Sequence, residues 1–147
     1  MYKGDIMNIL FCLTPKEKVA YIQSDSSIRQ ALEKMQVHRY SEIPVLDLDG
    51  NYLNTVSEGD LLWYIKEKQL DFETSEKTNI MDVPRYKYRK SIDVNRQIEE
   101  IIDLFIDQNF VPVVDDYGAF IGIITRKEIF KYMMEKLDFK NKIQIDK

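Results

Sequence analysis

Residues 109–129 read NFVPVVDDYGAFIGIITRKEI, and this stretch decides the fold. Two apolar, largely β-branched runs, 110–114 and 120–124, flank Asp115, Asp116, Tyr117 and Gly118. Carboxylates and a glycine between such runs are the chemistry of a tight hairpin turn, where they hydrogen-bond or relax the turning backbone. Nearly every position in both runs is apolar, so the strands are expected to be buried on both faces. A helix is expected from Thr125, which stands three residues before Glu128 with the spacing of a capping box.

The same reading applies to SEIPVLDLDGNYLNTVSEGDL at 41–61. A constant step of 68 residues carries Pro44 to Pro112, Asp47 to Asp115, Gly50 to Gly118, Tyr52 to Phe120, Ser57 to Thr125 and Asp60 to Glu128. One register through proline, turn glycine, hydroxyl and carboxylate marks an internal duplication. Upstream, Ile28, Ala31, Leu32 and Met35 fall on one helical face, and Ile98, Ile102 and Phe105 repeat it at an offset of 70. Two copies are fewer than the roughly three that a solenoid needs. They predict a pseudo-twofold pair sharing one core.

The paired segments IPVLDLDGNYLNTVSEGDLL and VPVVDDYGAFIGIITRKEIF resemble a tandem pair of CBS domains, a Bateman module, and the resemblance covers roughly residues 5–137. It implies a mixed α/β fold of two CBS repeats, each a small three-stranded sheet with two packed helices. The expected organisation is repeat 1 at 5–69, a polar linker at 70–78, repeat 2 at 79–139 and a charged, fraying tail at 140–147. Asn54 departs from the pattern, which has glycine there, as at Gly122.

Bulk properties narrow the function. With 147 residues and 44% hydrophobic content, this is an ordinary globular chain of one-domain size. A net charge of −4 argues against a general nucleic-acid coat. A single cysteine, Cys12, excludes an internal disulfide, and the apolar run at 9–13 is too short to span a bilayer. A soluble cytoplasmic protein is expected.

In chain order, a short helix is expected from Asp5, its candidate N-cap, to Leu13, ended by Pro15. Ile80-Met81-Asp82 echoes Ile6-Met7-Asn8, so each repeat is expected to have its own lead-in helix. KVAYIQ at 18–23 alternates as a strand, and Ser24 to Ser27 supply caps for a helix at 28–37. The helix from Glu58 to about Gln69 holds Leu61, Leu62, Trp63, Tyr64 and Ile65 consecutively, and the last helix holds Ile129, Phe130, Tyr132, Met133, Met134 and Leu137. A helix covers a core with one stripe about 100° wide. The surplus predicts a homodimer packed through these helices, or else mutual burial between the repeats.

Catalysis finds little support. One histidine, His38, and one cysteine allow neither a histidine-based triad nor a Cys/His metal cluster within the chain, and no phosphate-binding glycine loop is present. The chain is expected not to be an enzyme. Ser57–Asp60 and Thr125–Glu128 have capping-box spacing; glutamate suits the reciprocal bond better than the shorter Asp60, which leaves Asp60 freer for a ligand. Arg126 and Lys127 occupy a helix first turn, where cations are disfavoured unless an anion binds there or both simply point into water. PRYKYRK at 84–90 interleaves tyrosines with cations: an exposed alternating strand, a base-stacking surface, or a source of Arg85 for a phosphate.

What the resemblance adds is a ligand. Some CBS proteins of the small stand-alone bacterial kind bind adenine nucleotides, including cyclic di-AMP, so AMP, ADP, ATP or cyclic di-AMP is the implied ligand, held in the cleft between repeats. It implies Lys18, Ala20 and Tyr21 near the adenine, with Ser41, Glu42 and Ile43 beside it. Asp60 and Glu128 would hold ribose, and Ser57, Thr125, Arg126 and Lys127 would lie near phosphate; Arg85 stays a candidate from the 84–90 stretch alone. Glu42 replaces a small residue and would repel phosphate or crowd a base; Lys127 replaces an arginine. The implied role is a regulatory adenine-nucleotide sensor acting through an unknown effector protein. The alternatives are a ligand-free dimerisation module and a nucleic-acid binder using 84–90.

Overall fold

The computed structural model describes residues 8–145, with side chains through 138. In chain order the elements are β1 (Thr14–Pro15), β2 (Ile22–Gln23), α1 (Ile28–His38), β3 (Glu42–Leu46), β4 (Tyr52–Ser57), α2 (Glu58–Lys68) and α3 (Phe72–Lys77). The second half adds β5 (Ile92–Asp93), α4 (Ile98–Ile101), β6 (Phe110–Val114), β7 (Phe120–Thr125) and α5 (Arg126–Ile145).

Turn chemistry builds both hairpins identically. Asp47 Oδ1 accepts from the amides of Asp49 and Asn51, each at 2.9 Å, and Asp115 Oδ1 accepts from those of Tyr117 and Ala119 at 2.8 and 2.9 Å. Gly50 and Gly118 sit at φ +91° and +88°, a region that L side chains avoid. The two hairpins then meet at their turn ends. The Tyr52 amide donates to the Gly118 carbonyl (3.3 Å) and the Phe120 amide to that of Gly50 (3.0 Å). The Tyr52 and Phe120 rings stack with centroids 6.4 Å apart. These are equivalent residues of the two copies, so the pseudo-twofold axis runs between them. Around it Val19, Leu46, Phe110, Phe120 and Ile123 form the core shared by the repeats.

Each repeat has its own core besides. Ile28, Ala31 and Met35 of α1 pack with Ile43, Val45, Val56 and Leu61 in the first; Ile98, Ile101 and Phe105 pack with Val111, Val113, Ile124 and Ile129 in the second. Leu32 is exposed, and Ile101 rather than Ile102 is the fully buried member of the second helix. That helix is α only over Ile98–Ile101 and tightens to a 3-10 helix over Ile102–Ile106. Gln97 makes no capping bond there, whereas Ser27 and Gln30 form a full capping box on α1. An uncapped start and four isoleucines in nine residues weaken the α-helix.

The lead-in segments depart from expectation. Asp5, Ile6 and Met7 lie outside the described residues. The first turn is a 3-10 helix at Ile9–Cys12, capped by Asn8, and its counterpart is Ile80–Asp82, capped by Asn79. The echo is therefore Ile9 with Ile80. Each lead-in also crosses to the other repeat. Ile9 and Cys12 enter the second core and Ile80 and Val83 the first, with Asn8 bridged to Gln97 and Asn79 to Ser27. Burying one isoleucine across the boundary contributes about 1.5–3 kcal/mol, so the exchange ties the repeats together.

KVAYIQ is a strand only at Ile22–Gln23, because Lys16–Lys18 coil into a 3-10 turn. The polar segment at 70–78 contains α3, whose capping box joins Asp71 and Thr74. The last helix runs from Arg126 to Ile145, into the segment expected as a charged tail.

The sheets are unequal. Repeat 1 has β2-β3-β4, while the other sheet has β1-β7-β6-β5, β1 being donated from the N-terminal segment. Thr14 pairs with Ile123 and Pro15 with Gly122. A Cβ at Gly122 would stand 2.2 Å from the Thr14 carbonyl oxygen, so only glycine admits that strand. At the matching position Asn54 holds the chain at side-chain distance, its Oδ1 accepting from the Arg89 amide (3.3 Å) and the Thr55 amide (2.7 Å). No strand forms on β4 from that segment.

Candidate functional site

One backbone hydrogen bond at the start of each hairpin positions the site. The Glu58 amide, first in α2, donates to the Ser41 carbonyl at 2.9 Å, and the Arg126 amide, first in α5, to that of Asn109 at 2.8 Å. Each helix N-terminus is thus tied to the chain entering its own hairpin, close to the boundary between repeats. There a cleft of about 250 Å³ opens, lined by residues 39–42 of the first repeat and by Asn109, Phe110, Ile123 and Thr125 of the second.

Three residues named from sequence, Ser41, Glu42 and Thr125, meet in this cleft. Thr125 Oγ1 accepts from the Glu128 amide (3.2 Å), and Glu128 reaches Lys131 at 3.7 Å. Ala20 is buried alongside Tyr40, whose hydroxyl accepts from the Ala20 amide at 3.5 Å. Lys18 and Lys127 are exposed. Ile43 is fully buried in the first core, so its side chain is committed to packing. Tyr21 turns toward Phe120, ring centroids 6.3 Å apart, with the Lys16 and Lys34 ammonium groups 5.3 and 5.2 Å from its ring.

Arg126 does not point into the cleft. Its Nε donates to the Phe105 carbonyl at 2.9 Å, and it borders an apolar groove of about 580 Å³ with Ile102, Ile106, Phe130 and Met133. The carbonyl is one that the irregular helix end leaves without an intrahelical donor, a natural partner for a cation.

The capping-box expectation is reversed. Ser57 and Asp60 form the full reciprocal pair, with 3.0 Å from the Ser57 amide to Asp60 Oδ2 and 3.0 Å from the Asp60 amide to Ser57 Oγ. Asp60 Oδ1 also accepts from the Tyr86 amide at 3.0 Å. Asp60 is therefore buried and engaged through both oxygens. Arg85 lies near it and donates to the Val83 carbonyl. Burial holds the Arg85 guanidinium below its ordinary pKa, against the opposing pull of Asp60.

Residues 84–90 are neither strand nor alternating. Tyr86 and Tyr88 are exposed, but Arg89 is buried and its guanidinium pairs with Glu42 at 2.8 Å, with 11% and 13% of the two side chains exposed. The charge of Glu42, expected to repel a phosphate, is thus neutralised inside the protein. Arg89 also donates to the Lys87 carbonyl at 3.0 Å, and its own carbonyl accepts from the Tyr52 hydroxyl at 2.8 Å. Burial pushes the Tyr52 phenol well above its usual range. Glu42 Oε2 and Arg89 Nε remain buried without partners. Sequence reading missed Tyr40, Gln108 and the inward turn of Arg89. Gln108 is buried, its amide donating to the Phe110 and Lys90 carbonyls at 3.2 and 3.3 Å. The one advance signal was Asn54 in place of glycine.

Comparison with known proteins adds the following. The family model of the CBS domain matches residues 5–67 and 80–135. The Cyclic di-AMP receptor B of Bacillus subtilis is 27% identical over 132 residues, covering 86% of each chain. A crystal structure of CbpB in complex with c-di-AMP matches with a TM-score of 0.81 and 27% identity, covering 92% of this chain and 91% of that one. The CbpB protein of Listeria monocytogenes, also in complex with c-di-AMP, matches with a TM-score of 0.76 and 29% identity, covering 89% and 98%.

Proposed function

The chain belongs to the CBS-domain family as a tandem pair, and from that premise we propose that it is a regulatory, non-catalytic module that binds an adenine nucleotide in the cleft between its repeats. The observation that carries this reading is the open cleft itself, where Ser41 and Glu42 of one repeat face Asn109, Phe110 and Thr125 of the other. A ligand held by both repeats biases their relative placement, which is what a sensor requires. Phe110 and Tyr40 supply apolar surface for a base and Thr125 a hydroxyl, while Lys18 and Lys127 are exposed cations free to turn toward phosphates. Arg126 joins them by exchanging the Phe105 carbonyl for a phosphate, a stronger charge-assisted partner. Relatives that carry bound c-di-AMP support including cyclic di-AMP among the ligands.

The readout passes through a partner surface. Leu62, Trp63, Phe130, Met134 and Leu137 are exposed on α2 and α5, more apolar area than a helix needs for one core. They form the face of a homodimer, and an effector protein reads the altered dimer. Among the described residues no helix is long and apolar enough to cross a membrane.

Titration calorimetry with AMP, ATP, cyclic di-AMP and GMP tests the site. Adenine nucleotides bind, and Ser41→Trp, which fills the cleft from an exposed position, abolishes binding while the chain stays folded. Undiminished binding to Ser41→Trp would place the ligand elsewhere. No binding of any nucleotide to folded protein would favour a ligand-free dimerisation module.

A further inference from the structure

The duplication supplies two pseudo-equivalent clefts, and the chain treats them differently. The open one is lined by Tyr40, Ser41, Asn109, Ile123 and Thr125. The 68-residue step converts these positions to Gln108, Asn109, Ser41, Thr55 and Ser57. At that mate position the space is taken by the protein itself. Gln108 is buried and clamps the Phe110 and Lys90 carbonyls at 3.2 and 3.3 Å. Arg89, 9% exposed, lays its guanidinium on Glu42. Its carbonyl is held by the Tyr52 hydroxyl, which also contacts Thr55 Oγ1 at 2.8 Å, and Thr55 is fully buried. Just beyond, both oxygens of Asp60 are spent on the Ser57 and Tyr86 amides.

From these contacts we infer that the cleft on the Thr55 and Asp60 side is closed by Arg89 and Gln108, an internal lock between the repeats, so that one nucleotide binds per chain. The inference rests on the function proposed above for its second half only. Asn54 explains how the lock arose. In the open half Gly122 lets β1 lie flat on β7. In the closed half the Asn54 side chain keeps 85–90 off β4 and catches the Arg89 amide, which aims the arginine inward. Glu42 belongs to both places, since it lines the open cleft and anchors the lock.

Cysteine accessibility tests the lock without any ligand. Thr55→Cys and Ile123→Cys occupy pseudo-equivalent positions, and labelling by methyl methanethiosulfonate is measured above the background of the native Cys12. Ile123→Cys labels at least tenfold faster than Thr55→Cys. Adding Glu42→Gln with Arg89→Ala, which removes both charges together, raises the Thr55→Cys rate about tenfold, with circular dichroism confirming the fold. Equal labelling of the two single variants, or no acceleration on removing the lock, overturns the inference. AMP stoichiometry is the second arm: one per unsubstituted chain is expected, and two overturn the closed cleft. No AMP binding at all would overturn the proposed function, with the labelling comparison still deciding the lock.

Discussion

Replacing Arg89 by methionine isolates the energetics of the lock. The substitution keeps most of the side-chain volume but leaves Glu42, whose side chain is 13% exposed, without its 2.8 Å partner. Its other oxygen already lacks one. An ion pair broken inside a protein costs about 3–5 kcal/mol, because the surviving charge stays desolvated. The slight exposure of both groups puts the expectation at the lower end, about 3 kcal/mol. For a chain of 147 residues, an unfolding entropy of about 2.1 cal/mol/K per residue makes each kcal/mol worth about 3 °C. Arg89→Met should therefore lower the melting midpoint by about 10 °C. The double variant Arg89→Met with Glu42→Gln removes both charges and should return to within about 1 kcal/mol of the unsubstituted protein. Urea unfolding followed by circular dichroism gives the stabilities of all three proteins. A single variant costing under 1 kcal/mol, or a double variant as unstable as the single, would refute the buried-pair reasoning.

Three further outcomes follow from particular contacts. Gly122→Ala puts a Cβ 2.2 Å from the Thr14 oxygen and 3.1 Å from the Pro15 Cα, both backbone atoms; it should detach β1 and cost at least about 2 kcal/mol, and protection of the β1–β7 amides unchanged in hydrogen exchange would contradict this. Asp47 has a depressed pKa, chiefly through the Asn51 amide bond. A depressed carboxyl contributes stability that is full above its unfolded value of about 3.9 and is lost as pH falls through the lower folded value. Melting midpoints should accordingly drop more steeply below pH 4 in the unsubstituted chain than in Asp47→Asn, and parallel profiles would show the turn carboxylate to be idle. Phe130→Glu on the apolar groove should convert a dimer to a monomer in sedimentation at equal helicity, whereas an unchanged mass would move the dimer face away from α5.

Much of the architecture was readable because the hairpins carry their own instructions. Asp47 and Asp115 fold the turns with side-chain bonds over two to four residues, and such local chemistry survives in a linear string. The exchange of lead-in segments was not readable. Ile9 and Ile80 are equally apolar and fit either core, so the choice is made by chain connectivity and by the bridges to Gln97 and Ser27. Asp60 was misjudged because a shorter carboxylate was weighed against glutamate in isolation, while the Tyr86 amide that completes its shell lies 26 residues away. Sequence placed the ligand only in the cleft between repeats. The pairing of Arg89 with Glu42 and the bond from the Arg89 amide to Asn54 join residues 35 to 47 apart in the chain, so they could not be read from the string.

The central claim is tested most directly by thermal unfolding of the full chain with AMP, ADP, ATP, cyclic di-AMP and GMP, each at millimolar excess. A ligand present at 100 times its dissociation constant adds about 2.7 kcal/mol, a rise of roughly 5–10 °C for a chain of this size. The account predicts that rise for at least one adenine nucleotide and its loss in Ser41→Trp. A flat response to every adenine nucleotide from well-folded protein would contradict it.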